Sequence, residues 1–366
     1  MMKDSGQKQK AIRYCVAMGT VPYLEVLVRY NAEVSDVTSD ITDIDVLGIK
    51  PSGANRTQRI VFDCKTLAKV SGISRAFWAA GLKQFVKADD TFVILAKAAP
   101  EGHRLAVGTL GVRLFSEPLF DRFAAAASKD YFADSSYLER MDAWEQVFSA
   151  RKDYPRLEEL INYLTADAPL EENPVAGFRS LLAKFKRAEG EIDSSKAVHR
   201  AIFGMMLSQA LIFLSEMACA LHDIFDAGAD AARFEKLLRY YVWGGKENYE
   251  LRQRLNIALK AAKGINEPAS FDLPNWDQFK ELMRAYLDAP FALGAACLPM
   301  KEISFREISP VGAKQDFELS RRLKANNRIH QFSLVLLNYF SGLTRLTKEC
   351  CAVYSTKISE LSAMKS

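Results

Sequence analysis

The chain has 366 residues, 49% of them hydrophobic and 26% charged, with a formal net charge of +4. This is ordinary globular composition and excludes collagen-like, disordered and strongly polybasic classes. Six cysteines, at 15, 64, 219, 297, 350 and 351, have no C-x-x-C spacing, so reduced thiols of a cytoplasmic protein are expected rather than a disulfide frame or zinc site. Met1 to Lys10 is polar without an apolar h-region, which argues against a secretory signal. The longest apolar stretch that could be misread, Ala201 to Ser215, is 15 charge-free residues. That falls short of a membrane span and suits a buried helix, so no membrane partner is expected.

In chain order, Thr20 followed by Val21-Pro22 reads as an N-cap with proline in the first turn. Val21, Leu24, Leu27 and Val28 then make one apolar stripe of a helix of about three turns that also carries Glu25. Residues 41–50 and 58–66 read as strands, joined by the turn-forming cluster Pro51-Ser52-Gly53-Ala54-Asn55. A helix from Ser74 to Lys87 follows, then a strand Thr91 to Ala96, a strand near Val112 to Phe115, and an Ala-rich helix from Leu119 to Ala127. Beyond that the chain reads as almost wholly helical. Apolar positions recur at helical spacing in Leu157 to Leu164, Val175 to Phe185, Ala197 to Phe225, Phe234 to Trp243, Leu251 to Ala262, Phe279 to Leu287 and Ile329 to Leu343, and a last helix runs near Leu343 to Ser362. The expected organisation is an α/β domain over residues 1–128 and a mainly helical domain over 129–366.

Two acidic clusters stand out, Asp43-Ile44-Asp45-Val46 and Val61-Phe62-Asp63-Cys64-Lys65. Strand alternation puts Asp43 and Asp45 on one face with Ile44 and Val46 opposite, and sets Asp63 and Lys65 against Phe62 and Cys64 in the same way. Ionised groups in strands this apolar cost several kcal/mol, about what a buried charge demands, unless they are paired or hold a metal.

This pattern resembles the PD-(D/E)XK nuclease superfamily over roughly residues 10–125. Asp45 matches its first strand acid, with Asp43 as the alternative, and Asp63-Cys64-Lys65 matches D/E-x-K. Glu25 sits where the family places a helical glutamate, while the motif's proline is missing, Thr42 and Asp43 standing near its place. The resemblance implies a restriction endonuclease-like core, a central mixed sheet flanked by helices in a variant of αβββαβ order, followed here by an all-α C-terminal domain. It implies a nuclease, a hydrolase of phosphodiester bonds in DNA that serves restriction, anti-phage defence or repair and depends on Mg²⁺, with Mn²⁺ as a substitute. Glu25, Asp45, Asp63 and Lys65 would be catalytic, and Asp45, Asp63, the Cys64 carbonyl and Glu25 would hold the metal. Such carboxylates suit magnesium, which is bound by one or two carboxylates plus substrate oxygens. Lys65 is either drawn to its charged form by the carboxylates or lowered by desolvation and the cation, so it either stabilises developing charge or orients the attacking water.

Substrate contacts are sought nearby. Gln84 falls on the helical wheel between Ile73 and Phe77, in an arc that also holds Gly81, Phe85 and Trp78, so it is expected on the packed face, either as a core glutamine bonded to backbone or, through the resemblance, near metal or phosphate. Lys50, Arg56 and Arg59 flank the hairpin loop and suit a phosphate backbone, with a solvated loop as the other reading. Residues 1–128 carry 17 Lys and Arg against 13 Asp and Glu, so the whole net positive charge lies in this part. In the helical part, Arg321-Arg322-Leu323-Lys324-Ala325-Asn326-Asn327-Arg328 suits either a nucleic-acid contact or a solvated helix face, and Arg239-Tyr240-Tyr241 with Trp243 suits either base stacking or ordinary helix packing. The helical domain could also carry a homodimer or protein partner. The alternative to an enzyme is a non-catalytic nucleic-acid-binding or scaffold protein with a degenerate nuclease fold.

Overall fold

The computed structural model describes residues 2–31, 37–51, 57–66, 71–131, 134–225, 230–263 and 273–364. Its N-terminal part runs α1 (Ser5–Ala17), β1 (Val21–Asn31), β2 (Thr38–Lys50), β3 (Gln58–Lys65), α2 (Gly72–Phe85), β4 (Asp90–Leu95), α3 (Glu101–Gly108), β5 (Val112–Ser116) and α4 (Glu117–Ala127). The five strands form one mixed sheet in the order β1-β2-β3-β4-β5. β1, β2 and β3 pair antiparallel as hairpins, whereas β3, β4 and β5 pair parallel through helical crossovers.

The expected helix over Val21 to Val28 is instead the edge strand β1, and the first helix lies earlier, in the segment that reads as a polar terminus. Val21, Val26 and Val28 are β-branched and fully buried, and Pro22 is tolerated because it opens an edge strand. Thr20 caps nothing. It is buried beyond a turn that closes through left-handed Gly19, and its methyl group packs on Gly48, where an added Cβ would lie 2.8 Å from it and 3.0 Å from Cys15 Sγ. In α1 the buried stripe is Gln7, Lys8, Ala11, Ile12 and Cys15, one helical face whose first two members are polar.

Each face of the sheet has its own helical cover. On one, Tyr14 of α1 meets Phe62, Phe92, Phe120 and Phe123, with Phe62 and Phe92 stacked at 5.0 Å. On the other, Ala76 and Ala79 of α2 and Val107 of α3 close over Val93, Leu95, Val112 and Leu114. Since Phe62 pairs with Phe92 and Asp63 with Val93, the pleat turns Phe62 towards α1 and Asp63 towards α2.

The rest of the described chain is helical. Its centre is the helix Ala197–Ile224, which by length and composition could cross a membrane but has 89% of its most apolar window buried inside the protein. It packs on the helices Pro174–Ala188 and Cys297–Arg306. Buried apolar contacts pass without a break from sheet to helices. At the joint, the Tyr23 hydroxyl donates to Gln209 Oε1 at 2.6 Å, Arg29 meets Asp167 at 3.0 Å, and the buried Lys301 ammonium lies 3.1 Å from the Tyr23 ring centroid. The stretch Leu251 to Ala262 is helical, as its spacing predicts. It lies in the helix Lys246–Lys263, yet Leu251, Leu255, Ile257 and Leu259 are exposed.

Candidate active site

The sheet register sets three acids side by side. On the β1–β2 ladder, Leu24 pairs with Val46 and Val26 with Ile44, which leaves Glu25 across from Asp45 with the pairing skipped between them. The β2–β3 ladder ends at Val46 and Phe62, so one step further along Asp45 stands across from Asp63. The row Glu25, Asp45, Asp63 therefore crosses three strands where their hydrogen bonding opens. Glu25 has φ of 53°, in the left-handed region, which costs a non-glycine residue about 1–3 kcal/mol.

Cations from two helices and a strand fill the row. Lys8 of α1, 2% exposed, pairs with Glu25 and reaches Asp45 Oδ1 at 3.1 Å. Lys65 Nζ lies 2.9 Å from Asp45 Oδ2 and 3.6 Å from Asp63 Oδ1. Arg75, in the first turn of α2, grips Asp63 with a two-pronged fork, its Nε 2.6 Å from Oδ2, and stacks on Trp78 at 3.8 Å. The backbone N–H of Cys64 donates to Asp45 Oδ2 at 2.8 Å, replacing a ladder bond. Strand geometry turns the Cys64 carbonyl the same way, because Lys65 is the residue bonded to the β4 side, through Ala96. The start of α1 is fixed to the same strand end. Thr66 N–H donates to Asp4 Oδ1 at 2.9 Å, and Gln7 Nε2 donates to the Lys65 carbonyl at 3.2 Å.

Protonation follows from this packing. Burial alone would lower Lys8 and Lys65, but the hydrogen bonds and charges of their carboxylates outweigh it and hold both above the usual lysine range. Burial raises the Glu25 carboxyl, with Lys8 pulling the other way. Burial likewise raises Asp63, against Arg75 and Lys65. Burial also keeps the Cys64 thiol well above its ordinary value, so that side chain is inert and only its backbone faces the row.

Sequence reasoning and structure agree on part of this. Asp45, Asp63 and Lys65 converge, and Asp43 is exposed one step from the row. Glu25 reaches the row from a strand rather than a helix. Gln84 is exposed on α2, as are Phe77 and Phe85 at 57% and 49%, and only Ile73 and Trp78 of the arc expected to pack lie against the core. The packed face is Ala76, Ala79 and Leu82, and Gln84 sits about 13 Å of helix rise beyond Arg75. Lys50 is exposed at the far end of β2. Arg59, about 13 Å of strand from Asp63, donates to the carbonyls of Pro169 at 3.3 Å and Glu171 at 2.8 Å, so it ties the helical part to the sheet instead of flanking the acids. Arg56 lies outside the described residues. The cations of the 321–328 cluster are engaged too, Arg321 with Glu318 and Asp130, Arg322 with Glu302, Lys324 with the Met364 carbonyl, and Arg328 with Gln331.

Lys8 and Arg75 were missed by sequence reasoning. For Lys8 the signal was present, in the 7-8-11-12-15 stripe that makes the N-terminal segment a helix with a polar start. For Arg75 there was none, since its pairing depends on how α2 crosses β3.

Among the described residues, no group of three or more His, Cys, Asp or Glu side chains is set to hold a metal ion by itself. The oxygens of Asp45, Asp63 and the Cys64 carbonyl are nonetheless hard donors of the kind magnesium takes. Each carboxylate has about four lone-pair sites, more than its present partners use. No protein-family model, curated protein or solved structure matches this chain.

Proposed function

We propose that the chain is a Mg²⁺-dependent nuclease that hydrolyses phosphodiester bonds in DNA, built on a restriction endonuclease-like core. The observation that carries the reading is Lys65 Nζ lying between Asp45 at 2.9 Å and Asp63 at 3.6 Å, at the open end of β3. In support, the elements from α1 to β4 run αβββαβ, with the acids on the second and third strands.

Asp45, Asp63 and the Cys64 carbonyl would hold the metal, which when bound neutralises phosphoryl charge and lowers the pKa of water. Lys65, the partly exposed cation between the two acids, would donate hydrogen bonds to a phosphoryl oxygen or orient the attacking water. Glu25 at 32% and Lys65 and Arg75 at 23% are partly open, while Asp45 and Asp63 lie beneath them at 4% and 2%. Arg75 fixes the Asp63 carboxylate and is a positioning residue. The test is cleavage of circular DNA, linear DNA and RNA with Mg²⁺ or EDTA, beside Asp63→Ala. Metal-dependent DNA cleavage that Asp63→Ala removes is the expected result, and cleavage unaffected by EDTA contradicts the reading.

The second reading, a non-catalytic scaffold, is favoured by one observation, the exposed apolar side chains Leu251, Leu255 and Leu259 at four-residue spacing on the helix Lys246–Lys263. It predicts assembly that survives Asp63→Ala and Lys65→Ala, with no divalent cation bound between Asp45 and Asp63.

A further inference from the structure

The row of three acids has two gaps, and the chain treats them differently. The Glu25–Asp45 gap is filled by the ammonium of Lys8, which is 2% exposed. Its stem belongs to the buried stripe of α1, and α1 is held at its start by the Asp4–Thr66 and Gln7–Lys65 hydrogen bonds. The Asp45–Asp63 gap is spanned by Lys65, which is 23% exposed and stands at unequal distances of 2.9 and 3.6 Å. One gap thus has a fixed, desolvated cation and the other a partly hydrated one on a flexible stem. The left-handed backbone of Glu25 belongs to the first gap, where its carboxylate meets Lys8.

Asp45, 4% exposed, and Glu25, 32% exposed, repel each other where they meet unless a positive charge lies between them. A divalent ion could supply that charge, but Lys8 already does, and expelling its ammonium would strand a buried charge without a partner. The second gap is easier to open, because the partly exposed Lys65 can swing towards solvent or substrate while Arg75 keeps its fork on Asp63.

Resting on the nuclease reading above, we infer that Lys8 is a built-in cation that takes the place of a second metal. The site then binds one divalent ion per chain, in the Asp45–Asp63 gap, and Glu25 is the counter-ion of Lys8 and not a metal ligand. This reverses the role expected for Glu25 and makes Lys8 a positioning residue that sets metal stoichiometry.

The test is calorimetric titration of the full chain with Mn²⁺, read as sites per chain and affinity. The expected result is one site in the wild type, one site with affinity changed less than threefold in Glu25→Gln, and two sites in Lys8→Ala. Two sites in the wild type, a tenfold loss of affinity in Glu25→Gln, or a single site in folded Lys8→Ala would overturn the inference and leave the nuclease reading intact. No Mn²⁺ binding in wild type or variants removes both. Should Lys8→Ala fail to fold, the Glu25→Gln titration decides alone, because a metal ligand and a lysine counter-ion give opposite results there.

Discussion

Two sets of buried acids in this chain are neutralised in different ways. In the helical part and its border with α1, each acid has cations and donors of its own. Glu139 takes Arg13 and the N–H groups of Asp134 and Ser135, Glu302 takes Arg322 and the Ser136 hydroxyl, and Glu307 takes Arg200 and Lys357. Across the strand row the cations are shared, Lys8 between Glu25 and Asp45, and Lys65 between Asp45 and Asp63. A dedicated pair is complete and holds the fold together. Of the two shared lysines, the partly exposed Lys65 can give up one carboxylate and keep the other, which on the proposal above leaves room for an entering ion, whereas the buried Lys8 stays on both.

Variants on the two sets should separate fold from chemistry. The largest effect is expected for Asp63→Ala, which should lower the metal-dependent cleavage rate by about a hundredfold to ten-thousandfold in a plasmid-nicking assay. Next, Arg322→Ala strands Glu302, and breaking such a buried pair should cost about 3–5 kcal/mol in urea melts while the folded fraction still cleaves. Arg75→Ala should invert that pattern, with a smaller stability loss because Lys65 still faces Asp63, and at least a tenfold slower cleavage.

A pH series sharpens the same contrast. Lys65 is held above the ordinary lysine value, so its stabilising contribution is fully present below that value and is lost as pH climbs through the folded one. The stability gap between wild type and Lys65→Met should therefore be constant from pH 7 to about 9 and narrow as pH climbs past the ordinary lysine value of about 10.4. The smallest effect belongs to Arg59→Ala. It should cost about 1 kcal/mol, from its bonds to the Pro169 and Glu171 carbonyls, and leave nucleic-acid affinity unchanged in an anisotropy titration.

Much of this architecture was legible in the sequence, and the misses have physical causes. Alternation and turn residues located β2 to β5, α2 and α4 to within a few residues. β1 was misread because Val21 to Val28 is apolar at both periods, and only its place at the sheet edge makes the extended form win. α1 was missed because its buried face begins with Gln7 and Lys8, residues that read as solvated until the carboxylates they serve are in place. In the site, Asp45, Asp63 and Lys65 were readable because strand period fixes their face. Gln84 was misplaced because Phe77 and Phe85 looked like core and are exposed.

The central claim is that Asp45, Asp63 and Lys65 act as one phosphodiester-cleaving unit. Its most direct test is the DNA cleavage rate of wild type and Lys65→Ala in Mg²⁺ and in EDTA, with both proteins first shown folded by circular dichroism. The account predicts cleavage in the wild type with Mg²⁺ alone, reduced at least a hundredfold in Lys65→Ala. Equal rates in the two proteins, or no cleavage under any of these conditions, would contradict it.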